Sequence, residues 1–160
     1  MTVLTKKISC IDASGQRVVH EVALSAQEQA DYNARTAAAQ VKTSEHVNVE
    51  CARRVESAFS FNGHAFQFDA ASKARITGFA TLAGFAIQDG AQAGNLRWLD
   101  AGTDAGFIAA DNTLVTMDAQ TAFAFGQAAA AHERAHIFAA RALKDMSSVP
   151  ADYTDDQHWP

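Results

Sequence analysis

The chain has 160 residues, enough for one domain with an appendage or for two very small domains, and carries a formal charge of −5. That balance argues against a nucleic-acid partner, whose phosphates demand a basic face; only Lys6–Lys7 and Arg53–Arg54 place two cations side by side. Hydrophobic residues make up 48% of the chain, but alanine supplies much of that share. Burial per residue is therefore modest, and one subunit is expected to lean on its neighbours.

In chain order, MTVLTKKISC holds no apolar run long enough for a signal peptide, and no later stretch reads as transmembrane, so a soluble protein is expected. Cys10 and Cys51 lie far apart without C-x-x-C spacing and read as free thiols. VLTKKISCID, the small cluster ASGQ and RVVHEVALS form a β-hairpin turning at Ser14–Gly15. Ser25 followed by Glu28 is a capping box that starts a helix. With no proline or glycine inside, that helix runs to about Ala58, a rod of about 45–50 Å at ~1.5 Å per residue. A heptad-like row passes through Ala30, Ala34, Ala37, Val41, Ser44, Asn48, Cys51, Val55 and Ala58, small and partly polar, suited to a loose bundle or a close-packed trimer. The alternation in HVNVEC offers the other reading, a break near Ser44.

From Phe59 the pattern changes. FSFNGHAFQFD reads as two short strands around Asn62–Gly63, with Phe59, Phe61, Phe66 and Phe68 alternating along the arms. Asp69 caps a helix that puts Ile76, Phe79 or Ala80, Ala83 and Ile87 on one side; Gly78 and Gly84 within it imply close packing. After the turn-rich QDGAQAGN, the residues Trp98, Phe107, Leu114 and Val115 mark two or three further short strands, with a tight turn at Asp111–Asn112. Asp118 caps a last helix reaching about Met146, with Pro150 just beyond its end. The tail ADYTDDQHWP is acidic and aromatic, and Trp159 with Tyr153 is expected to dock on a partner.

The chemically loaded stretch is AAAAHERAH. His132 and His136 are four apart with Glu133 beside the first, the spacing of a zinc-protease helix. A third ligand is wanting: IFAARALKDM follows His136, and no glutamate lies beyond Glu133. Asp152, Asp155, Asp156 and His158 have no following helix to position them, and His64 sits in a hairpin turn. On a helical projection the pair shares a stripe with Phe125, Ala128, Ala129, Ala139, Leu143 and Met146, opposite Gln127, Arg134, Arg141, Lys144 and Asp145. The expected role is packing, with each imidazole bonded to a carbonyl or carboxylate from another strand or subunit. Ser60 and Ser72 lack a nucleophile elbow, GFATLAGFAIQDG lacks a nucleotide fingerprint, and Asp100, Asp104 and Asp111 read as turn formers rather than calcium ligands.

The FNGHAFQFD hairpin, the SKARI helix start, the RW pair, ADNTLVTMDA and the closing helix ending in ARALKDM carry a resemblance. Residues from about Phe61 to Met146 resemble a bacteriophage tail-associated domain family of unknown function found in tail-fibre and baseplate regions. The resemblance implies a viral structural or assembly role and location in the virion tail after synthesis in the bacterial host cytoplasm; it brings no catalytic residue. The combined expectation is an α+β protein in three parts. Residues 1–58 form an N-terminal hairpin and long connector helix, 59–146 a small domain of short antiparallel strands packed with two helices, and 147–160 the tail. It is expected to act without enzymatic activity, cofactor, metal or membrane insertion. Its expected partners are further copies of itself, as a homotrimer or other symmetric oligomer, and other phage tail or tail-fibre proteins. A tail-fibre assembly chaperone is the alternative, and a zinc metallopeptidase using His132 and His136 the remote one.

Overall fold

The computed structural model describes residues 4–160, and 37–40 by their backbone only, so Val3 of the first expected strand and the Ala37 side chain of the heptad row lie outside the described residues. The architecture is α+β, and the chain divides into two compact units, Met1–Val41 and Lys42–Pro160.

In the first unit β1 (Thr5–Ile11) pairs antiparallel with β2 (Arg17–Ala23). The turn is made by Asp12, whose Oδ1 accepts from the amides of Ser14 and Gln16, and by Gly15 at φ +83°. That carboxylate is held below its ordinary range first by the Ser14 hydroxyl and then by these amides. Ser25 and Glu28 form the expected capping box at the start of α1 (Ala26–Gln40), with Ser25 N–H and Oγ donating to Glu28 Oε2 at 2.9 and 2.8 Å. Glu28 also takes an ion pair from Lys6. No described residue of this unit is buried; Ile11 and Val19 stand well out in solvent.

The continuous rod does not form. α1 ends at Gln40, and α2 (Ser44–Val55) starts afresh after Thr43, whose backbone is extended. Thr43 N–H donates to His46 Nδ1 at 3.2 Å and its hydroxyl lies 2.8 Å from the same nitrogen, so a threonine three residues before a histidine acts as a helix start. The break spans Val41 to Thr43, directly before Ser44, and HVNVEC is helical. Its apparent alternation is an i, i+4 row, Val47, Cys51, Val55, turned toward the rest of the second unit. The boundary expected at 58/59 accordingly moves to 41/42: α2 packs on the last helix.

In that unit β3 (Phe59–Phe61) and β4 (His64–Phe66) form a two-residue hairpin, with Asn62 and Gly63 both at positive φ, as a type I′ turn requires. Phe59 faces Phe66 across the ladder, and both sink onto Phe125 of α4 (Ala119–Lys144), at ring-centroid distances of 5.6 and 4.6 Å. Phe66 and Phe125 are fully buried, a gain of about 1.5–3 kcal/mol for each such side chain. α3 (Ala70–Gln88) begins at Asp69, whose carboxylate accepts from the Ala71 and Ser72 amides. α3 contributes Ile76 and Ala83 to the same core.

α3 and α4 run antiparallel, since Lys73 meets Glu133, Ala80 meets Gly126 and Gly84 meets Phe123. Of the two glycines expected to be closely packed, Gly84 meets the Phe123 ring while Gly78 faces open space; the tightest approach is at Gly126, where a methyl would overlap that of Ala80. Between these helices in sequence come β5 (Gly106–Ile108) and β6 (Leu114–Thr116), an antiparallel pair. Trp98 belongs to no strand; from its loop the indole N–H donates to Met117 O at 2.9 Å, which anchors the loop on the core.

Candidate functional site

α4 presents His132, Glu133 and His136 where helical spacing puts them, and the neighbouring elements determine what each can do. His132 Nε2 donates to Val55 O at 3.2 Å. Val55 ends α2, so its carbonyl is one of the terminal acceptors that no helical amide reaches, and the imidazole satisfies it from the adjacent helix. The His132 ring also rests against Phe59 and edge-on to Phe68, at 5.7 and 5.1 Å. Burial holds its pKa below the ordinary ~6.5, with the Val55 bond opposing and His136 reinforcing the shift.

His136 is buried, and its Nδ1 donates to the His132 carbonyl one turn earlier at 2.9 Å. The Cys51 thiol donates in turn to His136 O at 3.6 Å, and burial pushes this thiol's pKa up. The two rings stand 4.6 Å apart. Glu133 turns away from them to Lys73, with Nζ–Oε1 at 3.0 Å. A zinc site of the protease kind needs both Nε2 lone pairs and a third ligand. Here His132 Nε2 carries the proton it gives to Val55. Among the described residues no group of three or more His, Cys, Asp or Glu side chains is placed to hold a metal ion.

The other sequence candidates are engaged locally. Asp100 accepts from Gly102 N–H at 3.0 Å, Asp111 from Thr113 N–H at 2.9 Å, and Asp104 pairs with Arg97 at 3.1 Å. Ser72 Oγ donates to Asp69, Ser60 is exposed, and His64 sits on β4 against Phe66. Met146, placed on the packing stripe by helical projection, lies past the end of α4 and is half exposed, whereas Lys144 turns inward to Asn48 Oδ1 at 2.9 Å.

The tail corrects the sequence reading most. Trp159, expected to fill a partner's pocket, is buried at 7% exposure among Val47, Ala140 and Leu143 of its own unit. Its indole N–H donates to Tyr153 O at 2.7 Å, so Tyr153 serves the same intramolecular contact, and its ring lies edge-on to His46. The segment is fastened by Arg54, which stacks over the Trp159 ring at 5.1 Å. The same guanidinium donates to Glu50 at 2.6 Å, Thr154 O at 2.6 Å and Asp156 at 2.9 Å. Glu50 is held below its ordinary range, first by Arg53 and then, against burial, by Arg54. Reading residue by residue missed this clasp; the signal was Glu50 four before Arg54, with an acidic tail to receive the remaining donors.

A groove of about 340 Å³ between α2 and α4 is lined by Cys51, Glu56, Lys73, Glu133 and Lys144; Lys73 and Glu133 pair with each other, and Lys144 donates to Asn48. The His136 ring stacks on the Trp159 indole at a centroid distance of 6.3 Å, so the site is a packed cluster of histidine, thiol and indole bonded within its own unit. No curated protein and no solved structure matches the chain. The model of a family described as a domain of unknown function, DUF4376, matches residues 37–157, beginning before α2 and running into the tail. That span covers most of the second unit, including Glu50, Arg54, Thr154 and Asp156 of the clasp but not Trp159, and the chain belongs to this DUF4376 family.

Proposed function

We propose that the chain is a non-enzymatic structural component of a bacteriophage tail, connecting or forming part of the tail fibre or baseplate as a symmetric oligomer. The observation that carries an assembly role is the state of the first unit. A single hairpin of seven-residue strands with a helix, and no buried residue among those described, is marginal in water by itself. Ile8, Ile11, Val19 and Tyr32 are all exposed there, apolar surface that association would cover. The phage-tail part of the reading rests on the resemblance over 61–146. The second unit supports a role by shape and contact, since His132, His136 and Glu133 are committed to holding it together.

Light scattering on the purified chain at micromolar concentration tests the assembly. A defined oligomer supports the proposal, and a monodisperse monomer counts against it. Mass spectrometry of purified virions tests the rest: stoichiometric presence supports the structural role. Absence from virions, with binding to a fibre protein in infected cells, would assign the chain to fibre assembly as a chaperone instead.

A further inference from the structure

The second unit holds a cleft of about 430 Å³ between the start of α3 and strand β5, lined by Gln67, Arg75, Gly106, Phe107, Ile108 and Asn112. The hydrogen-bond register decides which edge of β5 faces away from its partner. Met117 N–H donates to Ala105 O and Ala109 N–H to Thr113 O, both at 2.9 Å. Bonded and non-bonded pairs alternate in an antiparallel ladder, so Phe107–Val115 between them is a bonded pair. Gly106 and Ile108, opposite Thr116 and Leu114, therefore direct their amides and carbonyls away from β6, and among the described residues these groups have no partner. The neighbouring chain begins to cover this edge and then leaves it: Ala110 N–H reaches Ala65 O at 2.8 Å, and Gln67 lies across the cleft.

The cleft also holds an uncommitted cation. Arg75 is exposed and makes no ion pair or hydrogen bond among the described residues. Its acidic neighbour Asp69 already accepts from the Ala71 and Ser72 amides. Phe107 and the exposed Ile108 supply apolar wall.

We propose that this cleft binds an extended acidic peptide segment of a partner by strand addition to the free edge of β5, with a carboxylate of the segment paired to Arg75. The backbone groups of Gly106 and Ile108 give the direction of the added strand, and the guanidinium selects an acidic side chain by bidentate pairing. This inference does not rest on the phage-tail reading; it asks only for a partner with an exposed acidic strand or tail.

The test uses the full chain, ¹⁵N-labelled, titrated with an acetylated and amidated pentapeptide in which valine and threonine alternate about a central aspartate. The expected result is saturable movement of the Gly106 and Ile108 amide signals at about 1 mM peptide or below, as befits a short weak ligand. Arg75→Ala, at an exposed position that carries no structural bond, weakens binding about tenfold, and so does a central lysine in the peptide. A peptide N-methylated on the valine adjoining the aspartate separates strand addition from simple charge attraction, because it loses the backbone bond and keeps the carboxylate. Unmoved Gly106 and Ile108 signals, equal binding by the lysine or N-methyl peptide, or equal binding by Arg75→Ala each overturns the proposal. Concentration-dependent movement of the same signals without peptide overturns it in favour of a second copy in the cleft.

Discussion

Gly126→Ala is the sharpest probe of the fold, because two well-understood effects of opposite sign meet at one atom. In an isolated helix the change is favourable by about 0.5–1 kcal/mol, since alanine loses less backbone freedom than glycine. In this structure the new methyl would overlap that of Ala80 on α3, far inside the ~3.5–4.0 Å at which carbons rest. Both groups are on helix backbones, so the helices must separate, an overpacking cost of about 1–3 kcal/mol. Net destabilisation of about 1–2 kcal/mol is expected, a fall in Tm of about 3–8 °C for a unit of this size. Ala80→Gly alone loses helix propensity by about 1 kcal/mol. The exchange of both residues removes the clash, because the methyl added at position 126 then meets the Cα at position 80 at 3.7 Å, an ordinary contact. The double variant should therefore return to within about 0.5 kcal/mol of wild type rather than sum the two losses. Urea unfolding followed by far-ultraviolet circular dichroism measures all four proteins. A Gly126→Ala variant at or above wild-type stability, or simple additivity in the double variant, would refute the close α3–α4 contact.

Three further outcomes follow from the histidine site and the clasp. Trp159→Ala removes the plug between α2 and α4 and should cost about 3 kcal/mol in urea unfolding, with limited proteolysis opening the chain beyond α4; unchanged resistance would mean the tail is not docked. His132 has its pKa depressed in the folded state, so the unfolded chain takes up the proton first. Stability is full above the unfolded value near 6.5 and is lost as pH falls through the folded value, and His132→Gln should flatten that slope between pH ~7.5 and ~5.5 in urea midpoints. Zinc should leave Tm unchanged and chelator should do the same; a stabilisation by zinc that disappears in His132→Gln would revive the metal reading.

Local chemistry made much of the second unit legible. Asp69 and Asp118 were recognisable as caps because a short carboxylate before an apolar helix has amides to satisfy, and each accepts from the first turn. Asn62–Gly63 named its own turn, since two successive positive-φ positions admit few other pairs. The failures share a cause: the deciding contact was remote in sequence. Cys51 and Val55 could not be told from a heptad seam, nor Val47 added to their row, without α4 opposite them. Trp159 looked mobile because the slot that receives it is assembled from residues 47, 140 and 143. Gly126 drew no notice in an alanine-rich helix, where only the position of Ala80 gives it meaning. The histidine pair was legible as packing, but the acceptors are not on another strand or subunit: they are the Val55 carbonyl at the end of α2 and the His132 carbonyl one turn earlier on the same helix.

The docked indole has a practical corollary for anyone cutting this gene. A fragment trimmed to the family's boundary at residue 157 keeps every helix and strand of the second unit up to its last 3-10 turn, yet stops two residues short of the side chain that seals them. Such a fragment would carry an open greasy slot beside Val47 and Leu143 and would precipitate or pair for reasons foreign to the intact chain. Expression work should keep Trp159, with any tag attached beyond Pro160.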